Sequence, residues 1–461
     1  MSNSLLAAWL DIVSEWRSCF PQERTFRRAM RQGLGSLVCL GRRCLSRIIW
    51  TNGGQQHSWS GEYFLHSRSR WEPQALFASV FRRALPYYAG PLVGVAVDDT
   101  RLRKTGRSIP HVFRQRDPLS PPFHVNLMLG LRFLQASLLL PLHRLAPVGC
   151  RALPIRFEEV PPLKKPSRKA SKEAWAEYKK MTKLHNLSRS FVQTMTQLRQ
   201  ALDQAGGSAK TLVLALDGSF CNRTCLRAAR ERTDLIARTR KDAVLCFRAP
   251  QNSRRFYHLQ TFTPQQVRQD DCLPWKQTQL FYGGKRRKIR YKEVKKVYWR
   301  RGAARLPLRL LVVAPTPYRK RKNGKFYYRQ PAYLLTTDLK TSAQQLLQIY
   351  FDRWQIEVNH RDEKETLGVG QAQLWNVKAV PKQPALVVAA YSALLLASPQ
   401  AFGIERGKAY PVLPKWRRHA SRPSCLDLVT LLRKEMVDHP DLTEHLGLHL
   451  TDRALTQAAA A

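Results

Sequence analysis

Apolar positions recur at helical spacing through roughly the first 88 residues, as in FRRAMRQGLGSLVCLGRRCLSRIIW and YFLHSRSRWEPQALFASVFRRALPYY, with arginines and aromatic residues between them. That spacing predicts several short amphipathic helices. The texture changes at Pro91. PLVGVAVDDT is a short valine-rich run that ends in acids, the pattern of a buried strand. FHVNLMLGLRFL and QASLLLPLH give two more strands, expected to continue the same sheet antiparallel. PPLKKPSRKASKEAWAEYKKMTKLHN reads as a loop and a solvated helix, Leu187 to Leu202 as a helix, and TLVLALDGSF as a further buried strand ending in an acid.

Strand, strand, strand, helix, strand, with acids closing the first and fourth strands, is the order of a ribonuclease-H-like α/β fold. From Arg238 to about Arg329 the chain is basic and rich in β-formers. GGKRRKIRYKEVKKVYWRRGAARLPLRLLVV alternates charged with β-branched or aromatic residues, as strands with one wet face do. YRKRKNGKFYYR predicts a hairpin turning at Asn323-Gly324. PAYLLTT returns to the main sheet, and TSAQQLLQIYFDRWQIEVNHRDEKETLG predicts one helix stopped by Gly368. The expected organisation is a helical region over 1–88, a catalytic domain in two parts (89–240 and 330–402) with a basic β insertion over 241–329, and a C-terminal helical region over 403–461. No internal repeat is visible.

Composition narrows the partners. The 461 residues carry 78 Lys and Arg against 33 Asp and Glu, a formal net charge of +45. So large an excess attracts polyanions, and nucleic acid leads a membrane surface and ribosomal packing as the partner. The basic N-terminal helices then have two readings: a DNA-end-binding domain of helix-turn-helix character, or an ordinary helical domain with a solvated basic face. The longest apolar run, Ala385 to Ala397, is shorter than a bilayer needs and reads as a buried helix, so no membrane is expected. Nine scattered cysteines include Cys221 and Cys225 four apart, with no second pair or nearby histidine to complete a zinc site; reduced thiols in a cytoplasmic protein are expected.

Acids are scarce, so their places are informative. Asp98 and Asp99 end one apolar strand and Asp217 ends another. Singly, each is explained by the liking of Asp for turns and helix N-caps. On the helix from Thr341, however, Tyr350, Arg353, Glu357, Arg361 and Lys364 fall within an arc of roughly 80° at about 100° per residue. A solvated face laced with i,i+4 ion pairs would look similar, Arg353 with Glu357 and Glu357 with Arg361 having that spacing. Phosphodiester cleavage offers a second explanation. It needs an oxygen made nucleophilic and a leaving oxygen stabilised, and two divalent ions held by hard carboxylate oxygens do both. Two strand ends and a helix supply three carboxylates, and cations beside them would hold neighbouring phosphates.

Tyr350, Arg353, Glu357 and Lys364, within YFDRWQIEVNHRDEKETLGVGQ, resemble the Y-R-E-K signature of bacterial cut-and-paste insertion-sequence transposases, and VAVDDT and LALDGSF resemble that family's first two acidic motifs. The resemblance covers roughly residues 90 to 375 and, weakly, the helical amino-terminal region. It implies that Asp98, Asp217 and Glu357 form a metal-binding DDE triad on two Mg²⁺ or Mn²⁺ ions. Asp98 with Thr100 fits the first motif, and Asp99 is the alternative. Tyr350, Arg353 and Lys364 would contact phosphates, with Arg361 beside them. Trp299 would stack on a base extruded from the DNA terminus, or be a packed core residue. Arg240, Lys241 and the KRRK cluster Lys285–Lys288 are candidates for tracking DNA, the cluster alternatively being a solvated loop. The resemblance further implies a homodimer on double-stranded DNA that cuts at terminal inverted repeats and joins 3′ ends to target DNA. A ribonuclease-H-like nuclease without strand transfer, and a non-catalytic DNA-binding protein, share the fold and the charge.

Overall fold

The valine-rich run forms β1 (Leu92–Arg103), the strand about which the sheet is organised. The computed structural model describes residues 4–448 except 57, 118–119, 122, 144–148, 322 and 405–421. On one side of β1 lies β3 (Leu127–Pro141), antiparallel, whose far edge is shared by β2 (Phe113–Arg116) and β4 (Cys150–Glu159). On the other side β5 (Thr211–Leu216) and then β6 (Thr233–Arg238) run parallel to it. Parallel strands need a crossover connection, which here includes the solvated helix Lys172–Leu184 and the helix Leu187–Gln204, the second packed into the core through Phe191, Met195, Leu198 and Leu202; a strand covered on both faces reads as the unbroken apolar run of β5. The order β4-β3-β1-β5-β6, antiparallel on one side and parallel on the other, is ribonuclease-H-like.

Beyond β6 the sheet continues through β14 (Ala332–Thr336), β11 (Leu308–Val313), β10 (Lys285–Val297) and β9 (Lys276–Tyr282), each antiparallel to the last. Much of the segment expected as an insertion over 241–329 is therefore hydrogen-bonded into the main sheet. The alternation in β10 reports one wet face and cannot report which strand lies beside it. Two ribbons stand apart: β7 (Leu245–Arg248) with β8 (Tyr257–Phe262), and β12 (Pro317–Arg319) with β13 (Phe326–Tyr328). The second turns as the sequence predicts, with Asn323 at φ 64°.

The helix expected over Ala385–Ala397 runs from Ala379 to Phe402, through Pro384 and Pro399. It is long and apolar enough to cross a membrane, yet 89% of its most apolar window is buried inside the fold. Helices of the first 88 residues pack on it: Trp9 Nε1 donates to the Ala390 carbonyl at 3.0 Å, and the Cβ of Ala390 lies 3.4 Å from where a side chain on Gly33 would begin. Its other side meets the sheet, with Ser392 Oγ donating to the Pro154 carbonyl at 2.5 Å. Of the expected C-terminal helical region, Cys425–Asp438 is a helix, while 405–421 and 449–461 lie outside the described residues. Glu435 on that helix accepts from the backbone N–H groups of Leu5 (3.1 Å) and Leu6 (2.7 Å), satisfying donors that open the first helix, Leu5–Ser14. One apolar core thus contains Leu5, Leu34, Val95, Leu214, Leu394 and Val429.

Many N-terminal arginines are engaged by acids of the same region. Arg17 and Arg27 pair with Glu23, Arg28 and Arg31 with Glu62, Arg82 with Glu15, and Arg83 with Asp11 and Glu15. The second half of the Glu23–Val38 helix is buried, so its apolar stripe serves the common core.

Candidate active site

Strand alternation decides which acids can meet. On β1, Ala96 packs against Ile349 and Ile356 of the helical segment that follows β14, and a Cβ on Gly94 would lie 3.3 Å from Ile349. Asp98 continues that parity and faces the same segment. Val93, Val95 and Val97 belong to the opposite layer, and so does the parity of Asp99. On β5, Val213 and Ala215 face Ala343, Leu346 and Leu347, and Asp217 continues their parity from the strand end. The parallel register, Val97 opposite Leu216, brings Asp98 beside Asp217. Asp99 is held on its own side by Arg132 (3.3 Å) and Arg101 (3.9 Å).

The helical segment departs from the single regular helix expected. Ala343–Asp352 begins at Ser342, whose hydroxyl accepts from Gln345 N–H, and Gln355–Arg361 follows after a tightened turn. There Trp354 N–H bonds the Phe351 carbonyl (3.3 Å) and Glu357 N–H the Trp354 carbonyl (3.1 Å), each three residues back. Asp362–Thr366 is then a widened π turn before Gly368, which has φ 59°. These two departures change the phase of the side chains. Arg353 stands between two of the acids, 3.9 Å from Asp98 and 3.5 Å from Glu357, and 5.8 Å from the ring centre of Tyr350. Lys364 reaches the end of β1, within the electrostatic influence of Asp98 and Asp99. Arg361 does not join them: it is exposed and pairs with Asp362 at 3.2 Å, so the expected Glu357–Arg361 pair is absent among the described residues.

Burial pushes the Asp98 carboxyl up to about 7, with Arg353 pulling it down and Asp99 and Asp217 pushing it up. Burial also raises Glu357, against Arg353, and Asp217 adds to the rise. Asp217 thus acts on both of the other acids. Burial raises the Tyr350 phenol as well, keeping it protonated, and lowers Lys364. His360 is held neutral, pushed down to about 3 by burial with Lys364 and Arg353 adding to it.

Trp299, Arg240 and Lys241 share a cleft of about 910 Å³ that reaches Gly218, the neighbour of Asp217, together with Arg238, Arg268 and Arg301. Trp299 is half-buried, its ring so close over Gly302 that a Cβ there would overlap it. Arg240 forks onto Asp242 in the open (2.9 and 2.5 Å). The basic KRRK cluster begins β10, after the turn at Gly283 and Gly284.

Sequence reasoning missed the residues that hold these elements together. Lys104, buried at the end of β1, donates to the carbonyls of Gly370 (2.7 Å) and Ala372 (2.6 Å). Gln135, opposite Asp98 in the β1–β3 register, donates to Glu363 at 2.9 Å. Asn359 donates to the Ala152 carbonyl (3.1 Å). Burial pushes the Glu363 carboxyl from its ordinary 4.5 up to about 8. A raised carboxyl means the unfolded chain releases its proton first, so the contribution to stability is full below about 4.5 and is lost as pH rises through about 8. Glu363→Gln, neutral at every pH, is therefore expected to melt above the wild type at pH 8 and to lose that advantage towards pH 5. The same gap at both pH values would refute the assignment.

The family model of the DDE superfamily endonucleases matches residues 17–306. The chain belongs to that family. The match contains Asp98 and Asp217 and ends before Glu357, whose place beside them comes from the fold. No curated protein matches the chain. DDE endonucleases are nucleases of the transposase type and use divalent metal ions.

In this DDE endonuclease Asp98, Asp217 and Glu357 offer the hard oxygens such ions prefer. Among the described residues no three acid, histidine or cysteine side chains are gathered closely enough to enclose an ion. The Arg353 guanidinium instead supplies positive charge between Asp98 and Glu357. The three carboxylates fit the metal requirement in donor type, with the Arg353 guanidinium lying between Asp98 and Glu357.

Proposed function

We propose that this DDE endonuclease is a transposase that cuts double-stranded DNA at terminal inverted repeats and joins the freed 3′ ends to target DNA. The observation that supports the reading is that Arg353 stands 3.9 Å from Asp98 and 3.5 Å from Glu357, while Asp217, beside Asp98 in the sheet, acts electrostatically on both acids. The three acids would hold two divalent ions. Such ions, when bound, supply the charge that makes a water or 3′-hydroxyl nucleophilic and stabilises the departing oxygen.

The chain's own groups then divide the remaining work. Arg353 turns from the carboxylates to a non-bridging phosphate oxygen, where a guanidinium forms its strongest pairs. The Tyr350 phenol, kept protonated by burial, donates to a second oxygen. Lys364 lies next to the end of β1 and adds charge without entering the metal cage. His360, neutral and buried, carries no charge into the site. Trp299, Arg240 and Lys241 line the cleft that leads DNA to Asp217, and Trp299 offers a ring for an extruded base. Arg361, turned outward, is left as a peripheral phosphate contact. Two ends must be held at once, so the working form is a homodimer on DNA, acting on the bacterial nucleoid in the cytoplasm.

Joining of precut, 3′-hydroxyl ends to a plasmid tests the reading. Mg²⁺- or Mn²⁺-dependent joining that chelation stops, and added metal restores, is expected. Cleavage without joining would reduce the protein to a nuclease, and binding without either would make it a DNA-binding protein.

A further inference from the structure

The β12–β13 ribbon stands outside the main sheet, between β11 and β14, which pair down to Val313 and Ala332 at its base. From Thr316 to Gln330 the sequence carries six cations (Arg319, Lys320, Arg321, Lys322, Lys325 and Arg329) and no acid. It also carries Tyr318, Phe326, Tyr327 and Tyr328, all exposed, Tyr328 by 67% and Phe326 by 51%. No position of either strand is buried. Two strands alone are marginal in water, and a ribbon that shields none of its four rings gains little by folding without a cover.

The cations are arranged on the rings. Tyr318 and Tyr327 face each other across the strands at 5.7 Å. Arg319 lies over Phe326 (4.0 Å), Lys320 over Tyr327 (4.7 Å) and Arg329 over Tyr318 (5.7 Å). Among the described residues none of Arg319, Lys320, Arg321, Lys325 and Arg329 has a carboxylate partner, in contrast to the paired arginines of the N-terminal helices. Stacking fixes the direction of these side chains while leaving their charge available. The ribbon's foot, Gln330 and Pro331, lines the same cleft as Gly218 and Trp299, so the ribbon rises from the rim of the candidate active site.

We propose that residues 317–328 form an arm that enters a groove of duplex DNA seated in that cleft, its cations on backbone phosphates and its rings against sugars and base edges. A two-stranded ribbon has the width the major groove admits, and every formally charged residue from Thr316 to Gln330 is a cation, as a polyanion requires. The inference rests on the reading that the enzyme acts on duplex DNA.

The test uses the full-length protein, a labelled duplex, and affinity measured across a salt series with a hydroxyl-radical footprint. The variant with Arg319→Ala, Lys320→Ala, Arg321→Ala and Lys325→Ala is expected to bind at least tenfold more weakly. Its plot of log affinity against log salt should flatten by about 0.9 for each phosphate that the arm no longer neutralises. The footprint should shorten on one flank of the cleavage position, with the melting temperature unchanged. Arg319→Lys with Arg321→Lys, which keeps the charge, should retain the wild-type slope. A quadruple variant with the wild-type slope and footprint would overturn the arm while leaving the DNA reading intact. So would one whose only loss is adhesion to anionic vesicles or to an acidic protein. Wild-type protein without salt-dependent duplex binding would overturn both.

Discussion

Glu357→Gln is expected to reduce DNA cleavage about a thousandfold or more while leaving duplex binding and the melting temperature close to wild type. Losing one hard, charged oxygen ligand removes several kcal/mol of transition-state charge stabilisation, and each 1.36 kcal/mol is tenfold in rate. Glu357 is half-buried, and its carboxylate touches Arg353 at 3.5 Å without bracing the core, so the isosteric amide leaves the packing in place. The sharper form compares neighbours. Asp98→Asn is expected to match the loss at Glu357, because Asp98 shares a sheet face with Asp217 and the helical segment. Asp99→Asn is expected to fall within about tenfold of wild type, because Asp99 points to the other layer, towards Arg132 and Arg101. Cleavage of an end-bearing duplex, measured under single-turnover conditions, distinguishes them. Equal losses at Asp98 and Asp99, or a nearly active Glu357→Gln, would remove the basis of the proposed site.

The largest loss of stability is expected from Glu293→Ala, about 3–5 kcal/mol, the typical cost of leaving a buried charge without its partner. Glu293 lies on β10, its side chain only 8% exposed, and is the hub for three cations: Arg309 at 2.8 Å, Lys276 at 3.0 Å and Lys295 at 3.8 Å. The Arg309 side chain is 2% exposed, and its contact with Glu293 is close without being aligned as a hydrogen bond. Arg309 also donates to the Thr341 carbonyl at 2.5 Å, just before the Ser342 cap, so the strand ion pair braces the start of the segment that carries Glu357. Burial alone would raise the Glu293 carboxyl, but Lys276, Arg309 and Lys295 together hold it below its ordinary 4.5. A lowered carboxyl contributes stability above the unfolded value, and that contribution fades as pH falls through the folded one. Urea unfolding at pH 7 measures the effect. A loss under about 1 kcal/mol, the size of an ordinary exposed-pair substitution, would show that Arg309 is not dependent on Glu293.

The parts of the site that the sequence revealed are those governed by short-range patterns. VAVDDT and LALDGSF each announce a strand and the acid at its end, and the period of two puts Asp98, and not Asp99, on the face shared with the helical segment once the covered face of β1 is known. Arg361 shows where such patterns fail. Placing it beside Glu357 assumed one constant helical angle from Tyr350 to Lys364, whereas the chain tightens at Trp354 and widens at Asp362. Gln135, Glu363 and Lys104 were not legible because their importance comes from burial against partners far along the chain. The alternation of β10 reports a strand with a wet face but not its pairing with β11 in the main sheet, since pairing is a tertiary choice.

The long Ala379–Phe402 helix has a consequence for how the protein can be dissected. It is wedged between the opening helices and the sheet, and both sides bond to it, at Ala390 and at Ser392. Trimming the chain back to the first strand would strip that wedge of its covering and expose its apolar side to water. The opening helices are therefore held at a fixed distance and angle from the carboxylates, as on a jig, with no tether between them to lengthen or shorten.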